Sequence, residues 1–440
     1  MKLSRKILLA ILAFVFVVIP SALTLAVQLP SVQTRLSQEI VRVVSDKLNG
    51  EISISNIYYA LFGRIVIEDV TLLDNNRDTL INTQKVSLSF SPIELTKRHI
   101  KVDKVILTDG LINVIHTSDS TINILEVFPK QEKEKSIFNM AVSAKKLQLK
   151  NFKINYINPY GQEPLFPLTG HTMDFRDIHL SDVNLDIRDI RYSDLNGKAT
   201  VAALSMQEAR GYRVENLSFE ASLNSLGAMI KNLNFKDSFS NVFLDHIYAL
   251  TDDFSQIDNF LEDITLDAQI SDKTFFDCRT VQALVPGIDY VDLQLLVKGD
   301  IFGTVKNIDL DNFKVYTPSK RSMVDFNAHL NGLPLLNETM ASIKVKDCYT
   351  DFKDLDWILH HVSKYPVVGV AELAPGHVLS FRGSLNGLLD DFVAYGVIDS
   401  PELGSINIDA ICRNEIDLGL EVLGMINTQG INVGEIIQSE

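Results

Sequence analysis

The chain has 440 residues, of which 46% are hydrophobic and 22% charged, and 41 basic against 56 acidic side chains give a net charge of -15 at pH 7. This is the composition of a folded protein, and the length fits about three average domains or one long all-β module. Binding to nucleic acid needs clustered Lys and Arg to neutralise phosphates. The acidic balance, with no basic block beyond the first six residues, therefore excludes that class of function.

Three cysteines, Cys278, Cys348 and Cys412, lie far apart in the chain, and none belongs to a C-x-x-C pair. This spacing predicts neither a disulfide framework nor a zinc site. We expect buried or idle thiols.

The first feature in chain order is a run without charged residues from Ile7 to Thr34, whose part 7–27 is almost wholly apolar. A helix over 7–27 reaches roughly 30 Å, the thickness of a bilayer core. The short basic segment 1–6 is expected to stay in the cytoplasm, which sends the rest of the chain across the membrane. The residues that we expect in this anchor include Ile7, Phe14, Phe16 and Val27.

A cleaved signal peptide is the alternative for the same segment, with Thr24-Leu25-Ala26 as its processing site. The apolar run is longer than a usual signal-peptide core and is not followed by a clear polar region. These two features favour a retained, single-pass anchor. Under both interpretations the residues beyond about 30 are exported.

A helical pattern follows over 31–48, where apolar residues recur in steps of three and four and place one stripe on one face. Asn49-Gly50 is suited to end this helix. We expect the helix to pack on the first strands. A helix lying in the membrane surface is the alternative, although its basic residues are balanced by acidic ones.

After Gly50, apolar and polar residues alternate with a period of two in many short runs separated by turn residues. Each run puts one apolar and one solvent-exposed polar face on a strand. The spacing of the runs is typical of antiparallel meanders. The turn signals include Asn75-Asn76, Asp109-Gly110 and Asn331-Gly332. We therefore predict an all-β body.

Two helical interruptions are predicted in this body, at 251–262 and at 355–365, the second stopped by Pro366. The charged segment 130–136 is interpreted as a linker. It separates a first β module, 51–129, from a continuing β region, 137–440.

One phrase occurs twice, because 104–113 (KVILTDGLIN) is echoed by 146–155 (KLQLKNFKIN). Each copy is interpreted as a strand, a tight turn and a strand. No strict period appears, so the pattern does not predict a solenoid with a counted repeat.

The chain carries no catalytic signature. His360-His361 point about 100° apart on a helix and cannot share one ion, and no histidine belongs to an H-E-x-x-H motif. Gly383-Ser384 lacks the G-x-S-x-G elbow of hydrolases, and the aspartates between 174 and 194 lack calcium-loop spacing. We predict no enzymatic activity, no catalytic residue, no bound metal and no cofactor.

The order of these features resembles the AsmA-like superfamily and, within it, the N-terminal part of the TamB-type translocation and assembly module subunits of Bacteroidota-type envelopes. The resemblance covers nearly the whole chain but rests on pattern and order. The stretches that carry it are 7–27, 31–48, 51–70, 85–113, 291–334 and 378–409.

The resemblance implies a protein anchored in the inner membrane, with its bulk in the periplasm and a long curled antiparallel sheet that forms an open apolar groove. It implies phospholipid transport to the outer membrane and a role in outer-membrane biogenesis and protein assembly. The implied partners are phospholipid acyl chains, the inner membrane and an outer-membrane β-barrel assembly protein. TamB-type members are much longer and end in a characteristic domain, so the chain is interpreted as a truncated piece or a shorter relative.

Alternating apolar residues could line such a groove, since each acyl CH₂ moved out of water gains about 0.8 kcal/mol. Taken alone, the alternation favours sealed sandwich or barrel cores, and it is the anchor, the absence of catalytic motifs and the resemblance that favour an open groove. A slip of one residue in register would also invert every face. The candidate groove residues are Ile65, Ile67, Val86, Leu88, Phe90, Leu147, Leu149, Leu217, Phe219, Leu293, Leu295, Val324, Phe326, Ile406 and Ile408.

A non-enzymatic scaffold that recruits β-rich outer-membrane partners by strand addition is the alternative function. The groove hypothesis predicts phospholipid that co-purifies with the protein. The scaffold hypothesis predicts a stable protein complex without lipid.

Overall fold

A computed structural model describes most of the chain beyond residue 28, and it divides into two compact units, Met1–Glu215 and Asn216–Glu440. Both are mainly β. The described residues are 29–45, 48–60, 64–90, 100–127, 142–161, 163–164, 168, 170, 172–193, 196–251, 260–284, 293–333, 335, 338–362, 376–388, 391–415 and 419–432.

The helices that the structure describes are short and few. Within the described ranges, no helix combines the length and the apolar character that crossing a membrane requires. The predicted anchor 7–27, with Ile7, Phe14, Phe16 and Val27, lies outside those ranges, as do 128–141, which contain the predicted linker. The helices are α1 (Pro30–Ser45), α2 (Asn123–Val127), α3 (Phe260–Asp263), α4 (Cys278–Leu284) and α5 (Phe352–Val362).

Helix α1 begins one residue before the stretch 31–48 in which an amphipathic helix is predicted, and it contacts β1 and β2. Helix α5 begins three residues before the predicted 355–365. Of the predicted helix 251–262, only the last turn is described, as α3, because 252–259 lie outside the described ranges. No helix is predicted from the sequence at the position of α4.

The first unit contains strands in the order β1/β2–β3–β4–β5–β7–β8–β9, where β1 and β2 both pair with β3. A tenth strand, β10 (Arg213–Asn224), starts in the last residues of this unit. The strands are β1 (Glu51–Ser53), β2 (Asn56–Ala60), β3 (Arg64–Leu73), β4 (Thr79–Phe90), β5 (Ile100–Ser118), β6 (Thr121–Ile122), β7 (Val142–Ile157), β8 (Asp177–Ser193) and β9 (Asn196–Glu208).

The repeated phrase forms a parallel pair, which corrects two predictions. Strands β5 and β7 run parallel in register from Lys104 opposite Lys146 to Asn113 opposite Asn155, whereas an antiparallel meander was predicted throughout. The predicted turn at Asp109-Gly110 is also wrong, because β5 continues through it. The strand tolerates positive φ there because Asp and Asn enter the left-handed region more readily than other side chains.

The two positive-φ residues lie side by side. Asp109 has a φ of 53° and Asn151 a φ of 54°. The Asn151 side-chain amide donates a hydrogen bond of 2.6 Å to Asp109 Oδ1. Since both copies deform at the same place, the two strands keep their pairing along the whole phrase.

One fully buried part of the first unit follows directly after the positive-φ residue Asn151 in β7. Phe152 is fully buried, and a Cβ on Gly110 would lie 2.5 Å from its ring. Glycine is therefore needed at 110 so that the Phe152 ring can lie against the backbone of β5. A second buried cluster of Leu72, Leu80 and Val127 fixes α2 near the ends of β3 and β4.

The ionisation of Asp186 on β8 is expected to make the free energy of unfolding depend on pH. Hydrogen bonds from the Arg188 guanidinium outweigh the opposing effect of burial and, together with Lys146, lower the pKa of Asp186 to about 2. The Lys146 Nζ lies 2.9 Å from Asp186 Oδ2. A carboxylate whose pKa is lower in the folded than in the unfolded protein stabilises the fold at pH values above its unfolded-state pKa. This stabilisation is lost as the pH falls through its folded-state pKa.

We expect Asp186→Asn to lower the free energy of unfolding at pH 7 by about 1 kcal/mol, because Arg188 is exposed enough for solvent to weaken the pair. The difference from the parent chain should shrink as the pH falls from about 4 to 2. Urea denaturation at several pH values measures it. The matched control is Asp409→Asn on an exposed aspartate, and a pH-independent loss at Asp186 would contradict the prediction.

The second unit contains an open antiparallel meander in which each strand from β11 to β21 pairs with the next. The strands are β11 (Gly227–Asp237), β12 (Asn241–Leu250), β13 (Thr265–Asp277), β14 (Gln294–Thr304), β15 (Asn307–Tyr316), β16 (Met323–Asn331), β17 (Met340–Asp351), β18 (Val378–Gly387), β19 (Asp391–Ser400), β20 (Gly404–Glu415) and β21 (Gly419–Gln429).

Candidate apolar binding face

In the first unit, the apolar residues of neighbouring strands lie directly opposite one another. Two rows cross six strands, β3, β4, β5, β7, β8 and β9, without a break in their apolar character. One row is Ile67, Val86, Leu107, Leu149, Leu185 and Leu204, and the other is Ile65, Leu88, Val105, Leu147, Ile187 and Val201.

All twelve of these side chains are only half-buried. Neighbours in the sheet cover their flanks, because directly opposed side chains are about 5 Å apart. Their remaining exposure means that solvent reaches this face among the described residues. The face is therefore available to an apolar ligand.

The opposite face of the same strands is polar and internally paired. Gln148 donates a hydrogen bond of 3.1 Å to Asp186, and the Tyr58 hydroxyl lies 2.6 Å from Glu68 Oε1. Glu68 raises the pKa of Tyr58, first through this hydrogen bond, with burial as the second cause. Such groups need water or polar partners, so this side is unsuited to an acyl chain.

In the second unit, one apolar row crosses all eleven strands from β11 to β21. Two further apolar rows run beside it, one over β15–β21 that includes Phe326 and Ile408 and one over β14–β20 that includes Val324 and Ile406. The full row is Ile230, Ile247, Ala268, Ile301, Leu310, Ala328, Ile343, Leu385, Ala394, Ala410 and Gly424.

A bulge at Asn312 keeps the face apolar where the alternation in the sequence breaks. Asn312 has a φ of 52°, and pairing passes from Leu310 opposite Ala328 to Phe313 opposite Phe326. The extra residue shifts the alternation by one, so Phe313 returns to the apolar face. Its ring centroid lies 5.6 Å from that of Phe326.

The residues on this second face range from buried to exposed. Small residues such as Ala328 and Ala410 are buried between their neighbours, and Phe313 is 8% exposed. The large aliphatic side chains of the described rows remain half-buried, and Ile426 on β21 is 60% exposed. This is the pattern of a surface that is packed sideways but not covered from above.

Polar pairs link neighbouring strands on the reverse side. The Lys314 Nζ lies 2.6 Å from Asp325, and the Asn327 amide donates a hydrogen bond of 2.7 Å to Asp311. His329 Nδ1 lies 2.7 Å from Asp309 Oδ1. The two faces therefore differ in chemistry over most of the second unit.

The last three strands depart from this division. On the otherwise polar side, Val393, Ile411 and Leu423 lie opposite one another, and all three are exposed. Tyr395 and Met425 on the same side are 64% and 65% exposed. Strands β19–β21 therefore carry apolar side chains on both faces.

The structure brings most of the predicted groove residues into these rows. Leu295 pairs with Phe276 on the second face. Leu217 and Phe219 share one side of β10 and are half-buried, whereas Leu293 precedes β14 and is not in a strand. Phe90 pairs with Val102 after an irregularity, and its side chain lies outside the described part.

Sequence reasoning missed several members of the same rows, such as Leu185, Ile187, Phe313 and Phe381. Leu185 and Ile187 alternate in the sequence and could have been found from that signal. Phe313 could not be found in this way, because the bulge at Asn312 shifts the alternation by one residue and so places Phe313 on the apolar face.

Titratable groups on the described residues form no metal centre, since no three His, Cys, Asp or Glu side chains there are arranged to hold an ion. Burial raises the pKa of the Cys278 and Cys348 thiols, which disfavours the reactive thiolate.

Comparison with known proteins found no matching family model, curated protein or solved structure.

Proposed function

We propose that the chain binds the acyl chains of phospholipids along its apolar faces and acts in phospholipid transport between membranes. The observation that carries the proposal is the pair of half-exposed apolar faces, each backed over most of its strands by a polar face. Water-soluble proteins rarely leave contiguous apolar surface uncovered unless it binds something.

The free energy available from such a face is large. Each methylene transferred from water gains about 0.8 kcal/mol, so a chain of ~16 carbons gains roughly 10 kcal/mol. Because neighbouring rows are similar in chemistry, an acyl chain can shift along them without a large barrier. Movement along the face would then need no covalent step.

The sequence resemblance supports the finer form of this proposal. In that form the chain is an AsmA-like, TamB-type protein anchored in the inner membrane by 7–27, with its bulk in the periplasm. It would carry phospholipid to the outer membrane and contribute to outer-membrane biogenesis and protein assembly. No covalent chemistry and no cofactor are required.

The test is binding of a fluorescent fatty acid, whose emission rises in apolar surroundings, to the purified full chain. We expect saturable binding and displacement by unlabelled phospholipid. Mass spectrometry of extracted lipid should identify phospholipid that survives purification. A chain that carries no lipid and gives no saturable signal contradicts the proposal.

Strand addition is the second candidate function, and the exposed apolar residues on both faces of β19–β21 favour it. A partner strand placed along β21 would extend the sheet and cover residues such as Met425 and Ile426. A stable complex with a β-rich protein, formed equally by lipid-free chain, would support this candidate over lipid transport.

A further inference from the structure

A cavity of about 560 Å³ lies at the end of the second-unit sheet where α5 follows β17. One wall is the turn between β15 and β16, and the other is one side of α5. Its lining residues are Gln294, Thr317, Pro318, Ser319, Arg321, Lys353, Asp354, Asp356, Trp357, His360 and His361.

Asp354 joins the two walls. The hydroxyl groups of Thr317 and Ser319 each donate a hydrogen bond of 2.7 Å to its Oδ2, and Ser322 donates one of 3.1 Å. The Arg321 guanidinium binds Oδ1. Burial opposes ionisation, but these donors together hold the pKa of Asp354 below its usual value. This buried carboxylate is therefore a structural group, with its charge already met.

The side of α5 that faces the cavity carries one cation, Lys353, that suits an anion. Lys353 is exposed and has no carboxylate partner among the described residues. His360 Nδ1 lies 2.8 Å from the Asp356 carbonyl, and His361 Nδ1 lies 2.7 Å from the Trp357 carbonyl. A carbonyl only accepts, so each Nδ1 carries a proton.

The negative groups of the cavity are already engaged. Asp354 is bound by Arg321 and three hydroxyls, and Asp356 Oδ2 lies 3.5 Å from His360 Nδ1. Lys353 is thus the cation whose charge a ligand can meet. The Trp357 ring, which is tilted against the His361 ring with 4.6 Å between the ring centroids, provides an apolar wall beside Lys353.

The helix that forms one wall of the cavity also packs on apolar residues of the sheet. Phe352, the first residue of α5, packs against Leu379 and Leu403. Leu379 continues the apolar side of β18 that includes Phe381 and Leu385. A polar site at the strand ends therefore adjoins a surface suited to acyl chains.

We propose that this cavity binds a phosphate group, as a phosphodiester or phosphomonoester, through Lys353, beside the wall that Trp357 forms. In its lipid form the inference rests on the proposed function, with the headgroup in the cavity and the chains on the adjoining face. Phosphate recognition itself does not depend on that function.

Trp357 is the single tryptophan of the chain, so its fluorescence reports on this cavity alone. We expect the emission of the full chain to change saturably with a short-chain phosphatidylglycerol, and not with the diacylglycerol of the same chain length. Inorganic phosphate is the third ligand. Saturation by inorganic phosphate as strong as that by the phospholipid assigns the site to free phosphate and overturns the headgroup form.

The variant is Lys353→Gln, which we expect to weaken phospholipid binding about tenfold, since the ion pair is lost but the cavity wall remains. The matched control is Lys346→Gln, an exposed lysine on β17 away from the cavity. Equal affinities of the two variants, or a tryptophan signal that no phosphate ligand changes, overturn the inference. Fatty-acid binding that persists in Lys353→Gln separates this failure from failure of the proposed function.

Discussion

Replacing Ile408 by aspartate is expected to weaken acyl-chain binding about 100-fold, whereas the same replacement of Ile411 leaves it unchanged. Both isoleucines are on β20, but they lie on opposite faces. Ile408 lies between Gly396 and Ile426 on the apolar face, and Ile411 pairs with Val393 and Leu423 on the other. The substitution is chemically identical in the two variants, so only the face differs.

The expected magnitude follows from the size of the contact. A carboxylate cannot be buried against an acyl chain, so it excludes the chain from its neighbourhood. About four methylenes span one strand spacing of ~4.8 Å, and at about 0.8 kcal/mol each their loss costs roughly 3 kcal/mol. Each 1.4 kcal/mol is tenfold in affinity.

Fluorescent fatty-acid titration of both variants measures this difference, and thermal unfolding checks that each is folded. A second pair, Ile426→Asp and Met425→Asp, covers the case in which Ile408→Asp does not fold. Both of these residues are at least 60% exposed, so neither substitution buries a charge. Equal binding by the two members of each pair would rule out the apolar face as the ligand site.

Truncating Phe152 to alanine is expected to cost about 3–5 kcal/mol of unfolding free energy, because the ring is fully buried on β7. The cavity left behind cannot close easily, since Phe152 lies against Gly110 of β5 and pairs with Val183 of β8. Urea denaturation of the full chain, followed by circular dichroism, measures the change. Phe302→Ala is the control, because Phe302 is 55% exposed.

Gly110→Val provides the complementary change at the same contact. The added side chain would meet both the Phe152 ring and the Asn82 carbonyl oxygen, which a Cβ would approach to 2.7 Å. We expect the single variant to be destabilised and the double variant with Phe152→Ala to lose less than the sum of the two. Strict additivity, or a Phe152→Ala chain as stable as Phe302→Ala, would contradict the packing described for this site.

Much of the β architecture follows from local alternation. Strand runs such as Ile65–Ile67, Val324–Phe326 and Ile406–Ile408 were identified because apolar residues recur at every second position, which puts one apolar and one polar face on a strand. The helical interruption predicted at 355–365 placed α5 within three residues of its start. The alternation also identified most of the candidate groove residues.

The parallel pairing of β5 with β7 lay beyond such reasoning. The two copies of the repeated phrase indicated similarity, but nothing local indicates which strands become neighbours. Asp109-Gly110 carries the chemistry of a turn, and only its pairing partner Asn151 allows the chain to continue as a strand there. Tertiary pairing overrode the local preference.

By itself, the amino-acid sequence determined that this chain is mainly β, that its strands are two-faced and that it carries no recognised catalytic motif. The tertiary structure alone decided which residues share a face, because register and bulges such as that at Asn312 depend on the neighbouring strand. It also decided that the apolar faces of the described residues stay partly open, since a half-buried strand has the same pattern whether protein or a ligand covers it.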